Sequence, residues 1–505
     1  MNSDINVDNL KLKVPATVSS FVNGKTVQHK DPYRIRVINP SDESVVTELL
    51  EADETIVNEA VGAAKDAFAA GIWSRAAISE RQSVLLRCAD LIREHAVELA
   101  AMDTLCVGIP YHHSALPQVY AAAAWFQYFA GFIETLEEDL YRQLPNTKTL
   151  VTREPVGVVG LFSPWNIPVM SAALKLSAAL AFGNCCILKP SEQSPWASIR
   201  LVELLHEAGL PDGVLNAVNG RGVVTGAALS DHPDVRAISF TGGGQAGSLI
   251  ASQASKRFAK VTMELGGKSA NIIFDDADLD QALDAALVAI YSNNGQGCLA
   301  GSRILVGKSI ADKFIANFVA RSEKIRIGNP FDKTTELGPL SSKAHMERVL
   351  SYVDIVLNEG GEILSGGSRA TGFEQGFYVQ PTVARVNDNN TSVCQEEIFG
   401  PFVTFLSFDT EEQAIAIAND TRYGLTAYLW TNDLQRALNV ADHLNSGYVL
   451  INTTMQREKN APFGGFNDSG IDREGGKHSM HFFTEAKTTV IPLAKININK
   501  LGDTS

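Results

Sequence analysis

Residues 235–247 read VRAISFTGGGQAG: an apolar run from Val235 to Phe240 breaks at Thr241-Gly242-Gly243-Gly244 and passes through Gln245-Ala246-Gly247 into a helical pattern reaching about Phe258. The letters satisfy G-x-G-x-x-G between a strand and a helix. In that context glycines let the backbone approach a pyrophosphate, and the free N–H groups at the helix start favour its negative charge. Working outward, Val156 to Phe162, Cys185 to Leu188, Leu215 to Val218 and Lys260 to Met263 are further short apolar runs, separated by helical or Gly/Pro-punctuated segments. Such alternation predicts a parallel sheet with crossover helices. One crossover is bounded by Ser194 as candidate cap, Pro195 at the first helical position, and Gly209 and Pro211 past its end. A second alternating region runs from Glu264 to about Pro462, with strands expected at Ser269 to Phe274, Arg303 to Val306 and Tyr448 to Ile451. Thr147 to Arg153 and the tail Thr489 to Ile498 are strand-like but stand outside both patterns, and outlying strands of this kind often pair between subunits.

A chain of 505 residues that is 45% hydrophobic can bury more than one core, so two or three packed subdomains are expected. The 43 basic and 57 acidic residues leave a net charge of −14 with no Lys/Arg block, which argues against nucleic acid and membrane as partners. The start, MNSDINVDNLKLKVPA, has early acids and no apolar core, and the apolar stretch Ala172 to Phe182 is short and broken by Lys175. Neither a signal peptide nor a membrane span is expected. Six cysteines form no CxxC pair and no disulfide spacing, so a reducing cytoplasm is the expected location. The ten histidines include no HExxH, and His112 and His113 lack partners at metal-site spacing; no metal is expected.

Two readings of Glu264 stand side by side. It lies where the dinucleotide rule places a ribose-binding acid, about twenty residues past the glycines. It also heads Glu264-Leu265-Gly266-Gly267-Lys268-Ser269, whose paired glycines admit something close to the backbone beside a carboxylate, so a catalytic role is equally open. Cys298 sits in Asn293-Asn294-Gly295-Gln296-Gly297-Cys298, a small-residue loop after the helical run Leu279 to Tyr291. A thiol with a pKa near ~8.5 needs a base or a positive field to become a nucleophile. Cys88, Cys106, Cys185, Cys186 and Cys394 have no such setting and read as packing residues.

Taken in order, Ser163-Pro164-Trp165-Asn166, Leu188-Lys189-Pro190-Ser191-Glu192, Phe240-Thr241-Gly242, Met263 to Gly267, Gly295-Gln296-Gly297-Cys298, Glu396-Glu397-Ile398-Phe399-Gly400-Pro401 and Pro462-Phe463-Gly464-Gly465 resemble the NAD(P)-dependent aldehyde dehydrogenase superfamily, over about residues 20 to 490. The interval from Glu264 to Cys298 looks like that family's separation of base and nucleophile. The resemblance implies that Cys298 attacks the aldehyde, that Asn166 and the Cys298 N–H hold the oxyanion, and that Glu264 activates water to hydrolyse the thioester, with Lys175 aiding proton transfer. It further implies cofactor contacts from Trp165, Lys189, Glu192, Gly222, Gly226, Gly242, Gly243, Leu265, Glu397 and Phe399. A carboxylate at Glu192 disfavours an extra phosphate, so NAD is expected, with NADP as the second possibility. The sequence departs from the family's pattern at Gly243-Gly244, where Ser-Thr is common, and at Asn467, where a lysine is usual.

The implied architecture is α/β: a Rossmann-like cofactor domain (1–137 and 157–264), a second α/β catalytic domain (265–477) and a small β oligomerisation element (138–156 and 478–505) building a homodimer or homotetramer. Ile167, Met170, Leu174, Ser292 and the loop Thr453 to Asn460 align with the family's substrate tunnel, where Arg457 could pair with a substrate carboxylate. Ala181 to Trp196 and Asn452 to Gly476 look most like 5-carboxymethyl-2-hydroxymuconate semialdehyde dehydrogenases, which implies a semialdehyde or aromatic aldehyde of a catabolic pathway. Two rivals remain: an acylating enzyme that passes the acyl group to coenzyme A, against which Glu264 speaks, and a non-catalytic descendant, against which Cys298, Glu264 and Asn166 speak.

Overall fold

A computed structural model describes residues 14–499, Leu501 and Gly502; residues 1–13, 500 and 503–505, which include both ends of the expected domain assignments, lie outside the described residues. The five apolar runs of the first region form the parallel core of an eight-stranded sheet: Val158–Ser163, Cys185–Pro190, Leu215–Ala217, Ala237–Thr241 and Lys260–Glu264. Across the sheet they stand as fifth, fourth, first, second, third, so the strand order reverses between Val158–Ser163 and Ala237–Thr241. In open α/β sheets the crevice outside the carboxyl ends of the strands at such a reversal is where ligands bind. Val158–Ser163 and Cys185–Pro190 are buried along their whole lengths, as strands covered by helices on both faces must be. Cys185 and Cys186 are part of that covered surface.

The second sheet has seven strands, in the order Glu362–Ser365, Thr382–Arg385, Phe402–Phe408, Arg303–Gly307, Ala270–Ile273, Thr426–Trp430, Tyr448–Ile451; all pair in parallel except the edge strand Glu362–Ser365. The segments carrying Gly266-Gly267, Cys298 and Glu397–Phe399 each lead into a strand of this sheet, whereas those carrying Asn166, Gly242 and Leu265 each leave a strand of the first. The carboxyl edge of one sheet therefore faces the amino edge of the other. The short strand Gly470–Ile471 returns to the first sheet, antiparallel to Met263–Glu264.

A third sheet is an antiparallel ribbon of Thr484–Pro492, Thr147–Pro155 and Asp139–Tyr141. The tail strand thus begins earlier than Thr489 and ends at Pro492: its partner strand gives out at Thr147, and one further hydrogen bond, from the Leu493 N–H to the Asn146 carbonyl at 2.7 Å, closes the ribbon. Two other local expectations shift. The helix after the glycines is Gly244–Ser255, ending before Phe258, whose φ is +57°. Ser194 stands at the N-terminus of Pro195–Glu207 but does not cap it; its hydroxyl donates to the Trp165 carbonyl at 3.5 Å. Among the described residues no helix is long and apolar enough to cross a membrane.

Candidate active site

Three consecutive left-handed residues set the nucleophile's loop. Asn293 and Asn294 have φ of +56° and +60°, and Gly295 +70°. Asparagine tolerates this region because its short amide bonds locally. Asn294 donates to the carbonyls of Gly108 (2.9 Å) and Pro339 (2.8 Å), while Asn293 donates to those of Asn166 (3.0 Å) and Gln296 (3.1 Å). The side-chain amide of Asn166 donates to the same Gln296 carbonyl at 2.9 Å. One of its two hydrogens is so engaged, and the other is left for a ligand.

The pair Gly266-Gly267 explains itself once the fold is closed. A side chain at Gly266 would collide with the Glu397 carboxylate, and one at Gly267 would come within 2.7 Å of the Cys298 carbonyl. The Gly267 N–H instead donates to Glu397 Oε1 at 3.0 Å. Cys298 keeps some surface open, yet packed protein, and then the carboxylates of Glu397 and Glu264, push its thiol up to about 12, with Arg457 pulling the other way. The resting sulfur is therefore protonated and must lose its proton as it attacks. Glu264 is buried with no hydrogen-bond partner on either carboxylate oxygen, and desolvation, reinforced by Glu474, raises its pKa well above the ordinary carboxylate value.

Glu474 was assigned no role from sequence. It is 6% exposed and accepts from Lys175 Nζ at 2.8 Å, which also donates to Ser239 Oγ at 2.8 Å. A small cavity of about 10 Å³, about the room of one water, is lined by both residues together with Leu174, Ser239 and Thr262. Leu174 therefore sits at an inner wall, whereas Met170 and Ile167 are half-buried and Ser292 is exposed. The sequence signal for Glu474 was an acid followed by paired glycines, the same pattern that drew notice at Glu264.

On the opposite side, Phe399 holds φ at +62°, an outlier for a bulky residue. One helix, Lys343–Asn358, secures it: His345 Nε2 donates to the Phe399 carbonyl at 2.7 Å, and Arg348 donates to the carbonyls of Ile398 (3.1 Å) and Glu397 (2.6 Å). Trp165 packs edge-on against His345 and Phe399, with ring centroids 5.6 and 5.4 Å away. His345 and Arg348 were missed because their grip is on backbone, which leaves no motif.

The residues suit a dinucleotide. At the end of the second strand in chain order, Lys189 Nζ donates to Glu192 at 3.1 Å, and Glu192 faces the Gly222 amide at 3.5 Å. A Cβ at Gly222, Gly243 or Gly244 would meet nothing within 4 Å, so the backbone there is open to a ligand. Gly226 lies buried behind Lys189, its Cβ position 3.9 Å from Cε. Gly247 permits contact with Leu265, whose Cδ2 would lie 2.6 Å from a Cβ there. The Gly242 amide is already committed to the Glu264 carbonyl at 3.0 Å, so that glycine shapes the turn and offers a phosphate no N–H.

Arg457 packs 3.8 Å over the Phe463 ring and 5.0 Å from that of Trp125, with Nε and Nη2 buried and unpartnered.

The chain is 39% identical to 5-carboxymethyl-2-hydroxymuconate semialdehyde dehydrogenase of Escherichia coli, over 92% of this chain and 98% of that one. It is 37% identical to phenylacetaldehyde dehydrogenase of Pseudomonas fluorescens, over 93% and 95%. The solved betaine aldehyde dehydrogenase of Staphylococcus aureus in complex with NAD+ superposes with a TM-score of 0.93, at 36% identity over 96% and 97% of the chains. With residues 27–489 matching the profile of the Aldehyde dehydrogenase family, the chain belongs to that family.

Proposed function

We propose that this aldehyde dehydrogenase uses NAD to oxidise a semialdehyde or aromatic aldehyde of a catabolic pathway to its acid, through a thiohemiacetal and then a thioester on Cys298. The observation that carries the reading is the convergence of one half-free amide (Asn166), one part-exposed thiol (Cys298) and one unpartnered buried carboxyl (Glu264). Sulfur adds to the aldehyde carbon as the thiol gives up its proton to solvent, which leaves the Glu264 carboxylate free for the hydrolytic half. The remaining Asn166 hydrogen and the Cys298 N–H receive the oxyanion. NAD, when bound, supplies the oxidant, its nicotinamide ring taking the former aldehyde hydrogen with its electron pair. Glu264 then draws a proton from water as its oxygen attacks the thioester, and the thiolate leaves. The buried Lys175–Glu474 pair sits where it can relay that proton onward.

Lys189, Glu192, the uncrowded backbone at Gly222 and the amide of Gly243 would hold the adenosine and diphosphate half; Glu397 and Phe399, beside Trp165, would hold the nicotinamide half. The same reading assigns residues 1–137 and 157–264 to cofactor binding, 265–477 to catalysis, and 138–156 with 478–505 to assembly as a homodimer or homotetramer. The exposed outer face of Thr484–Pro492 supports the last assignment.

The unpartnered guanidinium nitrogens of Arg457 favour an aldehyde with a distal carboxylate. The test is a panel of aldehydes with and without such a group, assayed with NAD and with NADP on the parent and R457M. Carboxylate-bearing substrates should lead in kcat/KM with NAD, and R457M should cut that lead by about tenfold or more. A panel indifferent to the carboxylate in both proteins removes the acidic substrate; a faster reaction with NADP removes the cofactor preference.

A further inference from the structure

At the adenosine end of the proposed cofactor cleft, two acids and two bases stand in a row. Lys189 pairs with Glu192. One peptide away from the Gly222 amide that faces Glu192, Arg221 commits its side chain elsewhere: Nε donates to Glu51 Oε1 at 2.9 Å and Nη2 to Oε2 at 2.6 Å, while the Arg221 backbone N–H joins Oε1 at 2.9 Å. Glu51 follows the strand Val45–Leu50 and is 7% exposed; the Arg221 side chain is 41% exposed and lies 4.3 Å over the Tyr33 ring. An arginine beside a ribose-facing acid is the group that takes the 2′-phosphate of NADP where a dinucleotide fold accepts one, because its fork matches phosphate geometry. This chain has that arginine next to its ribose-facing acid, but Glu51 holds its Nε–Nη2 edge and fixes the direction of the guanidinium.

We infer that Glu51 is a specificity-determining residue for the cofactor: by holding Arg221 in a two-pronged pair it withholds from a 2′-phosphate the guanidinium that would receive it. The inference rests on the reading of the Lys189–Glu192 end as the adenosine-ribose site. The hold is a designed-in competition. Glu51 is ionised at neutral pH, since the Arg221 hydrogen bonds keep its carboxyl below the usual range. Replacing that charge by an amide leaves the stacking on the exposed Tyr33 ring as the main restraint, and stacking at an exposed site is weaker than attraction to a doubly charged phosphate.

The experiment compares the parent, E51Q, R221A and the double variant by calorimetric Kd for NAD and NADP, and for ADP and 2′,5′-ADP, which report the same end without turnover. The Kd ratio between partners of each pair cancels any loss of folded protein. E51Q should shift the ratio about tenfold towards the 2′-phosphorylated ligand. R221A alone should not shift it that way, and R221A combined with E51Q should erase the gain, a non-additivity that a purely structural role for Glu51 would not produce. A ratio in E51Q within twofold of the parent, or a gain that survives in the double variant, overturns the inference while leaving NAD use intact. A parent that binds neither dinucleotide overturns the cofactor reading and the inference together.

Discussion

Replacing Glu264 by Gln separates the two halves of the proposed reaction. The amide matches the carboxylate in size, and Gly464 leaves room for it: a Cβ there would lie 2.6 Å from Glu264 Oε1, so the site is shaped to this length of side chain. Neither carboxylate oxygen has a hydrogen-bond partner, so the change breaks no network that positions Cys298 or Asn166. What is lost is the base. General-base assistance contributes about 10²–10⁴-fold, roughly 3–5 kcal/mol of barrier, and among the described residues no other unpartnered carboxyl beside Cys298 stands ready to replace it, Glu397 being held by the Gly267 N–H. Mixing E264Q with aldehyde and NAD in a stopped-flow instrument should give a burst of NADH close to one per site, then turnover slowed by that factor. Stability carries a second readout. The native carboxyl binds its proton more tightly than the unfolded chain does, so stability declines as pH climbs past the ordinary carboxylate value of about 4.3 towards the raised native one. E264Q lacks that decline and should gain on the parent between mildly acid and neutral pH. Steady turnover equal to the parent, or a variant that loses ground to the parent over the same pH span, refutes the reasoning.

Removing Lys175 as K175M leaves Glu474 buried and uncompensated, which should cost about 3–5 kcal/mol of stability, whereas K175M combined with E474Q should recover most of it; equal unfolding midpoints for the parent and K175M would show that the pair is not the buried unit described. With the Cys298 thiol pushed up to about 12, its alkylation by iodoacetamide in the absence of cofactor should rise about tenfold per pH unit through pH ~9, and a plateau near neutrality would mean that the sulfur is already ionised at rest.

The glycine signature was legible, but the meaning of its spacing was not. The rule that looks for an acid about twenty residues on assumes that the glycines follow the first strand of the sheet. Here they follow the fourth, so the acid at that distance, Glu264, ends the fifth strand and lies within electrostatic reach of Cys298, while Glu192, the acid proposed for the ribose, follows the second. Strand order is a property of the closed sheet and no local window contains it. Paired glycines at 266–267 announced a close approach, though only the fold shows that the visitors are the Glu397 carboxylate and the Cys298 carbonyl. Lys175 was found through resemblance and its partner Glu474 was not, because a buried ion pair spanning such a sequence separation has no period to betray it. The tail strand was expected from Thr489 on, where the apolar residues lie, yet it begins at Thr484 and takes in Glu485 and Lys487, because an antiparallel ribbon needs a facing strand more than it needs apolar residues.

Gly295 has a further bearing on how the enzyme moves. Any side chain there would run into the main chain of Gly400 and Pro401, so the turn before Cys298 and the turn after Phe399 lie backbone to backbone with no cushion between them. Two such segments cannot breathe separately. A shift of the Phe399 turn would drag the sulfur's perch with it, and on the proposed reading, in which that turn holds the nicotinamide, a dinucleotide that settles it would also set the aim of the thiol before any aldehyde arrives.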